Sequence, residues 1–397
     1  MAAVVTREID TAERRARLAR RHRLAPGHRA ADVVDAARSV VALHATDPAT
    51  IYLSARARVA DMAVDDLEEA LYADRSLVKQ LAMRRTLWVV PREDLGAVQA
   101  GAGDRVAEAE RRRLVRDVEK AGLRRDGSRW LARARREVLA ALAGGREASA
   151  SELREEIPLL RGSITYGEGR SWGGQAPVAP RVLTILSAAG EIVRASNDGA
   201  WTASRPRWAA TERWLGEPLS RPGAGEGVAE LVRRWLRGFG PGTESDLRWW
   251  LGSTLHTVRG ALAEVGAVEV ALEGGPGYVL PDDVEPVQDV EPWAALLPAL
   301  DPATMGWLER DFYLGAHRAQ LFDANGNGGA TMWWDGRVVG GGTQDEGGEI
   351  VLQPLEDAGS DARRALDAEA ERLGDWLGGL RVQSRVPSPL AKAAAGA

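Results

Sequence analysis

The stretch Leu77-Val78-Lys79-Gln80-Leu81-Ala82-Met83-Arg84-Arg85-Thr86-Leu87-Trp88-Val89-Val90-Pro91 decides the fold. Two runs rich in β-branched and large apolar residues, 77–83 and 86–90, flank a pair of arginines. This reads as two strands about a turn, with Pro91 breaking the pattern. Upstream the period is helical. Residues 7–24 form an arginine-rich helical start closed by Pro26-Gly27, and helices are expected over 30–43 and 48–60. Another begins near Asp65, with Glu68 placed to complete a capping box. Helices followed by a hairpin describe a winged helix.

The pattern recurs twice downstream. Trp130–Leu142 is a helix, Ser149 with Glu152 caps the next, and 178–189 is the third. A hairpin of 191–195 and 200–203 follows across Asn197-Asp198-Gly199. The glycine-rich segment 161–177, carrying Tyr166, Arg170 and Trp172, reads as a loop. In the third copy 228–237 is a helix, Thr243 with Asp246 caps another, and 254–265 completes the set before strands 268–272 and 277–280. After Pro286 the character changes. Met332-Trp333-Trp334 and Arg337-Val338-Val339 flank Asp335-Gly336, a strong two-residue hairpin signal. A strand at 350–355 and an amphipathic helix at 361–377 close the chain. The expected fold is α+β and mainly α. Its parts are an N-terminal helix with winged helix 1 over 1–100, winged helix 2 over 101–215, winged helix 3 over 216–285, and a small β-rich domain over 286–397.

Composition narrows the chemistry. The 397 residues contain no cysteine, which excludes disulfides, thiolate catalysis and cysteine-ligated metals. The five histidines show no close metal-ligand spacing, so neither metal nor cofactor is expected. No apolar run is long enough for a membrane span, and the charged N-terminal stretch is no secretory signal. A cytoplasmic, nucleoid-associated monomer is the expectation. The net charge of −5 averages unlike regions: residues 105–136 hold twelve Lys/Arg against five Asp/Glu, whereas 285–397 hold nine against eighteen. A basic N-terminal part suits a polyanion such as duplex DNA. Candidate DNA-facing groups are Arg84 and Arg85 at the first wing, Arg170 in the glycine loop, and Arg205 and Arg207 beyond the second.

One junction stands out, Leu43-His44-Ala45-Thr46-Asp47-Pro48. Val33, Ala37, Val40 and Val41 mark a buried helical face that His44 extends, and Asp47-Pro48 reads as a helix N-cap. His44 and Thr46 would then be displayed at a helix–helix junction able to hold a water. The same pattern equally describes a packed core histidine beside an ordinary cap.

The tandem units, taken with particular words, resemble the AlkZ-like (YcaQ-type) winged-helix DNA glycosylases. The words are Leu43–Pro48, Arg85-Thr86-Leu87-Trp88-Val89-Val90, Phe239-Gly240-Pro241-Gly242-Thr243-Glu244-Ser245-Asp246-Leu247-Arg248-Trp249-Trp250, Leu296-Leu297-Pro298 through Asp301-Pro302, and Trp334–Gly340. They run in the family's order over about residues 10–385. The resemblance implies a monofunctional enzyme hydrolysing the N-glycosidic bond of alkylated purines in duplex DNA, chiefly N7-alkylguanine and bulky natural-product adducts. It would serve DNA repair or antibiotic self-resistance. The family's catalytic motif is Gln-hydrophobic-Gln or Gln-hydrophobic-Asp; here the aligned positions are His44, Ala45 and Thr46. Carried over, His44 positions or activates water near its ordinary pKa of about 6.5, Thr46 holds it, and Asp47 supplies weak negative field. Two other classes fit the same residues. One is a non-catalytic winged-helix DNA-binding protein, a damage sensor or transcription regulator, with His44 buried. The other is a drug-sequestering protein using Trp172, Trp249 and Trp250.

Overall fold

The computed structural model describes residues 7–166 and 173–395. Helix accounts for 48% and strand for 18%, so the chain is α+β and weighted to helix, as its patterning leads one to expect. Among the described residues no helix is long and apolar enough to cross a membrane.

Three helix-then-hairpin units follow one another, and a detail of connectivity repeats in each. A very short strand or bridge precedes a helix and pairs with the second arm of its unit's hairpin. Leu43–His44 lies antiparallel to Trp88–Val89, and Ala148–Ser149 to Arg207–Trp208. In the third unit an isolated bridge from Gly242 to Tyr278 takes the same place. The helices that follow start where local chemistry dictates. Ser149 accepts from the Glu152 amide, and Thr243 from the Asp246 amide, each with the carboxylate reaching back to the cap.

Several boundaries differ from the sequence reading. The first of the two early helices spans Val33–Ser39 rather than 30–43, and the next spans Pro48–Arg56. The carboxylate that reaches back to the Ala63 amide is Asp66, not Glu68. Residues 161–177 are not simply a loop, because Ser163–Tyr166 pairs with Gly174–Pro177 as an antiparallel ribbon. The second hairpin runs Ile192–Asn197 and Pro206–Ala210, leaving 200–203 in its turn. There the Asn197 side chain gathers the Gly199, Ala200 and Ala203 carbonyls and the Arg205 amide. That turn is no free wing. Trp201 packs 5.0 Å from the Tyr52 ring and 5.7 Å from Trp376.

The C-terminal part is a four-stranded antiparallel meander, Ala294–Leu297, Thr331–Trp334, Arg337–Gln344 and Ile350–Pro354. Asp335 and Gly336, both at positive φ, turn its central hairpin. Helix Ser360–Leu377 lays Leu366 against Leu296, Met332 and Val339 of the sheet. One continuous apolar core joins the first unit, the third unit and this domain and takes in Val193, Ala195 and Ala209 of the second hairpin, while the helices of the second unit pack around a core of their own. Through the shared core runs a fully buried ion pair. Arg58 donates twice to Asp301 at 2.8 Å, and Asp301 also accepts from Ser54 and from the Ala303 amide.

Candidate active site

The junction around His44 is built by an abrupt reversal. Asp32 caps helix Val33–Ser39, which stops at Val40, and Val41 adopts φ 66°, a left-handed conformation that a β-branched residue avoids. The turn swings Leu43–His44 into the sheet, where the Ala45 amide donates to Leu87 O at 2.8 Å. His44 therefore extends no helix face; it stands on a strand directly opposite Trp88. Its ring meets the Trp88 ring edge-on at 4.8 Å, and Trp88 in turn packs 5.9 Å from Trp250.

Burial governs the chemistry of this histidine. Only 3% of His44 is exposed, so the open-cleft position read from the sequence does not hold for its ring. Desolvation first, and then the neighbouring Arg84 guanidinium, pull its pKa down to about 3. It is neutral throughout the physiological range and no near-neutral base. Nδ1 accepts from the Thr46 amide at the long distance of 3.5 Å, which leaves the ring proton on Nε2. Thr46 is exposed. Asp47 stands at the N-cap position of helix Pro48–Arg56 but makes no side-chain cap. Its buried carboxylate turns instead toward the C-terminal segment, where Oδ2 accepts from the Arg385 amide at 2.9 Å and from Ser384 Oγ at 3.3 Å.

The arginines separate clearly. Residues 84 and 85 both take positive φ at the first hairpin's turn, where the Arg84 backbone comes close to Gly252. Arg84 lies flat over Trp249, 4.0 Å from the ring centroid, and Arg310 approaches the same ring at 5.1 Å. Desolvation and Arg310 lower the Arg84 pKa to about 10, so it stays cationic, and among the described residues it forms no ion pair. Arg310 is 2% exposed; its Nη2 donates to Trp307 O at 2.6 Å, while Nε and Nη1 have no partner. A positive, aromatic-walled corner thus stands beside His44. Sequence reading missed Trp249 and Arg310 as parts of it, and neither carries a local signal that would have placed them there.

Arg85 is exposed but paired with Glu110 at 2.8 Å. Arg207 is already shared between Asp198 at 3.1 Å and Glu152 at 3.2 Å, so its charge is spoken for within its own unit. Arg205 is exposed near the second hairpin's turn. Arg170 and Trp172 lie outside the described residues. The structure brings Arg84 to His44 and leaves Arg85, Arg205 and Arg207 apart from it. Among the described residues no cluster of three or more acidic or histidine side chains is arranged to hold a metal.

Comparison with known proteins adds the following. The model of the family described as DNA glycosylase AlkZ-like matches residues 37–376. Among solved structures, the Streptomyces sahachiroi DNA glycosylase AlkZ superposes with a TM-score of 0.72 at 20% sequence identity. The match covers 94% of this chain and 98% of that one, a likeness of fold. No curated protein matches the chain.

Proposed function

Because the chain belongs to the AlkZ-like DNA glycosylase family, we propose that it hydrolyses the N-glycosidic bond of N7-alkylated guanine in duplex DNA, bulky natural-product adducts included. We read its three repeated units as winged helices facing the duplex. A cytoplasmic role in base excision or antibiotic self-resistance follows from that reading. The observation that carries it is the placing of His44 on a short strand, two residues before the exposed Thr46 and beside Arg84, which forms no ion pair among the described residues.

The chemistry asks little of an enzyme. N7 alkylation leaves the purine cationic, so the C1′–N9 bond breaks with its electron pair neutralising the departing base. The sugar becomes oxocarbenium-like. A water held by the Thr46 hydroxyl and the neutral His44 ring adds to C1′, and its proton passes to solvent, leaving an abasic site. Against so strong an electrophile a positioned water suffices. This suits a histidine held far below its ordinary pKa. Arg84, stacked and charged, takes a backbone phosphate next to the lesion, and Arg205 adds a weaker contact.

The test is release of free base from duplex carrying N7-methylguanine, or treated with a bulky intercalating alkylator, by the wild type and by His44→Ala. Release lost in the variant is expected. No release from either substrate by the wild type refutes the reading. The burial of His44 favours one other reading, a non-catalytic sensor of damaged DNA, which would bind both duplexes and free no base.

A further inference from the structure

Behind the first hairpin lies a small open pocket with an interior volume of about 20 Å³. Register places Gln80 opposite Trp88 and Lys79 opposite Val89, and side chains alternate between faces. Lys79 therefore points away from the side that carries His44 and Trp88. Two units close the pocket: Tyr52, Tyr72 and Lys79 come from the first, and Arg194, Trp201 and Ser204 from the second.

Its two cations keep hydrogen-bonding capacity to spare. Lys79 Nζ donates to the Tyr72 hydroxyl at 2.6 Å, leaving two of its three hydrogens unused. Arg194 stacks 5.0 Å from the Trp208 centroid and makes one long bond, 3.4 Å, to Ser204 Oγ. Among the described residues neither pairs with a carboxylate. Glu68 is the acidic group whose charge reaches Lys79, and it bridges to neither cation. Burial, and then the Arg194 charge, lower Lys79 to about 8, and burial lowers Arg194 to about 10. Both are still mainly cationic at pH 7. Two like charges held in a half-buried pocket, ringed by hydroxyl groups and with Glu68 acting only at a distance, favour the entry of something anionic.

We propose that this pocket is a phosphate-binding site in which Lys79 and Arg194 grip one tetrahedral oxyanion. The phosphate comes either free or from a nucleic-acid strand passing the mouth. The chemistry is common to both sources, and the site lies on the opposite face of the sheet from the His44 side chain. It stands without the glycosylase reading, since binding is scored with no base release.

Inorganic phosphate is titrated into the full-length protein by calorimetry, with chloride at matched ionic strength as the control. Saturable, chloride-resistant binding is expected. Lys79→Met or Arg194→Gln, each made singly and checked for a wild-type melting profile in chloride, should weaken it about tenfold or more, as loss of one charged donor does. A second arm measures undamaged duplex binding against salt. A slope reduced by about 0.9 in each variant identifies a strand phosphate as occupant, whereas an unchanged slope with lost phosphate binding identifies a small anion. Absence of phosphate binding by the wild type, or its survival in both variants, overturns the proposal.

Discussion

A neutral histidine and a basic one make opposite demands on two measurements, the pH profile and the response to glutamine. With its pKa at about 3, the protonated fraction of His44 at pH 6 is on the order of one in a thousand. Single-turnover release of 7-methylguanine, corrected for spontaneous depurination, should therefore be flat between pH 5.5 and 8.5. If the proposed role holds, His44→Ala removes the group that fixes the water and should slow release about a hundredfold, some 2.7 kcal/mol of barrier. His44→Gln keeps a neutral side chain able to hold water and restores the residue the family's motif has there. Its rate should stay within about tenfold of wild type. An inflection near pH 6.5, or a glutamine variant as slow as alanine, would show that His44 takes a proton and would refute the positioning argument.

Other outcomes follow from the same structure. Breaking the buried pair by Arg58→Met or Asp301→Asn leaves an uncompensated charge and should cost about 3–5 kcal/mol in denaturant unfolding; a loss under about 1 kcal/mol would contradict its burial. Arg84→Gln should lower the salt slope of duplex binding by about 0.9, whereas Arg207→Gln should leave it unaltered, since Arg207 is already paired; the reverse order would move the DNA face. His22, wholly buried against Phe239 and Trp307 with no partner for either ring nitrogen, is held well below its ordinary pKa by burial, as is His44. Unfolded histidines bind protons that these refuse, so stability is full above about pH 6.5 and falls as pH drops toward their folded values. The slope approaches about 1.4 kcal/mol per pH unit for each, and His22→Phe should remove one such share in acid melts.

How much of this was legible depended on range. The caps at Ser149 and Thr243 and the Asp335-Gly336 turn sit where their neighbours put them, because three or four residues supply all the energy involved. The helix expected over 30–43 failed at Val41, whose left-handed backbone is imposed by pairing with strand Leu87–Pro91 rather than by local preference. A two-residue strand has no period to read. Asp47-Pro48 is a sound local signal for a cap, yet the carboxylate serves Ser384 and Arg385, more than 330 residues away. The Arg84 to Trp249 stack is likewise written in two distant words that mean nothing apart.

The Arg58–Asp301 pair also sets a clock. Its partners are separated by 243 residues, so on a translating ribosome the guanidinium emerges long before the carboxylate. At roughly 5–20 residues per second the wait is roughly 12–50 s. For that interval the first unit cannot close over Arg58 without sealing in a lone charge. The His44 strand is followed directly by the helix that leads to Arg58, so it must mature late. Protection of the first unit in a nascent chain should therefore appear only after the downstream carboxylate has emerged, and slowing translation between the two residues should lengthen its protease-sensitive interval.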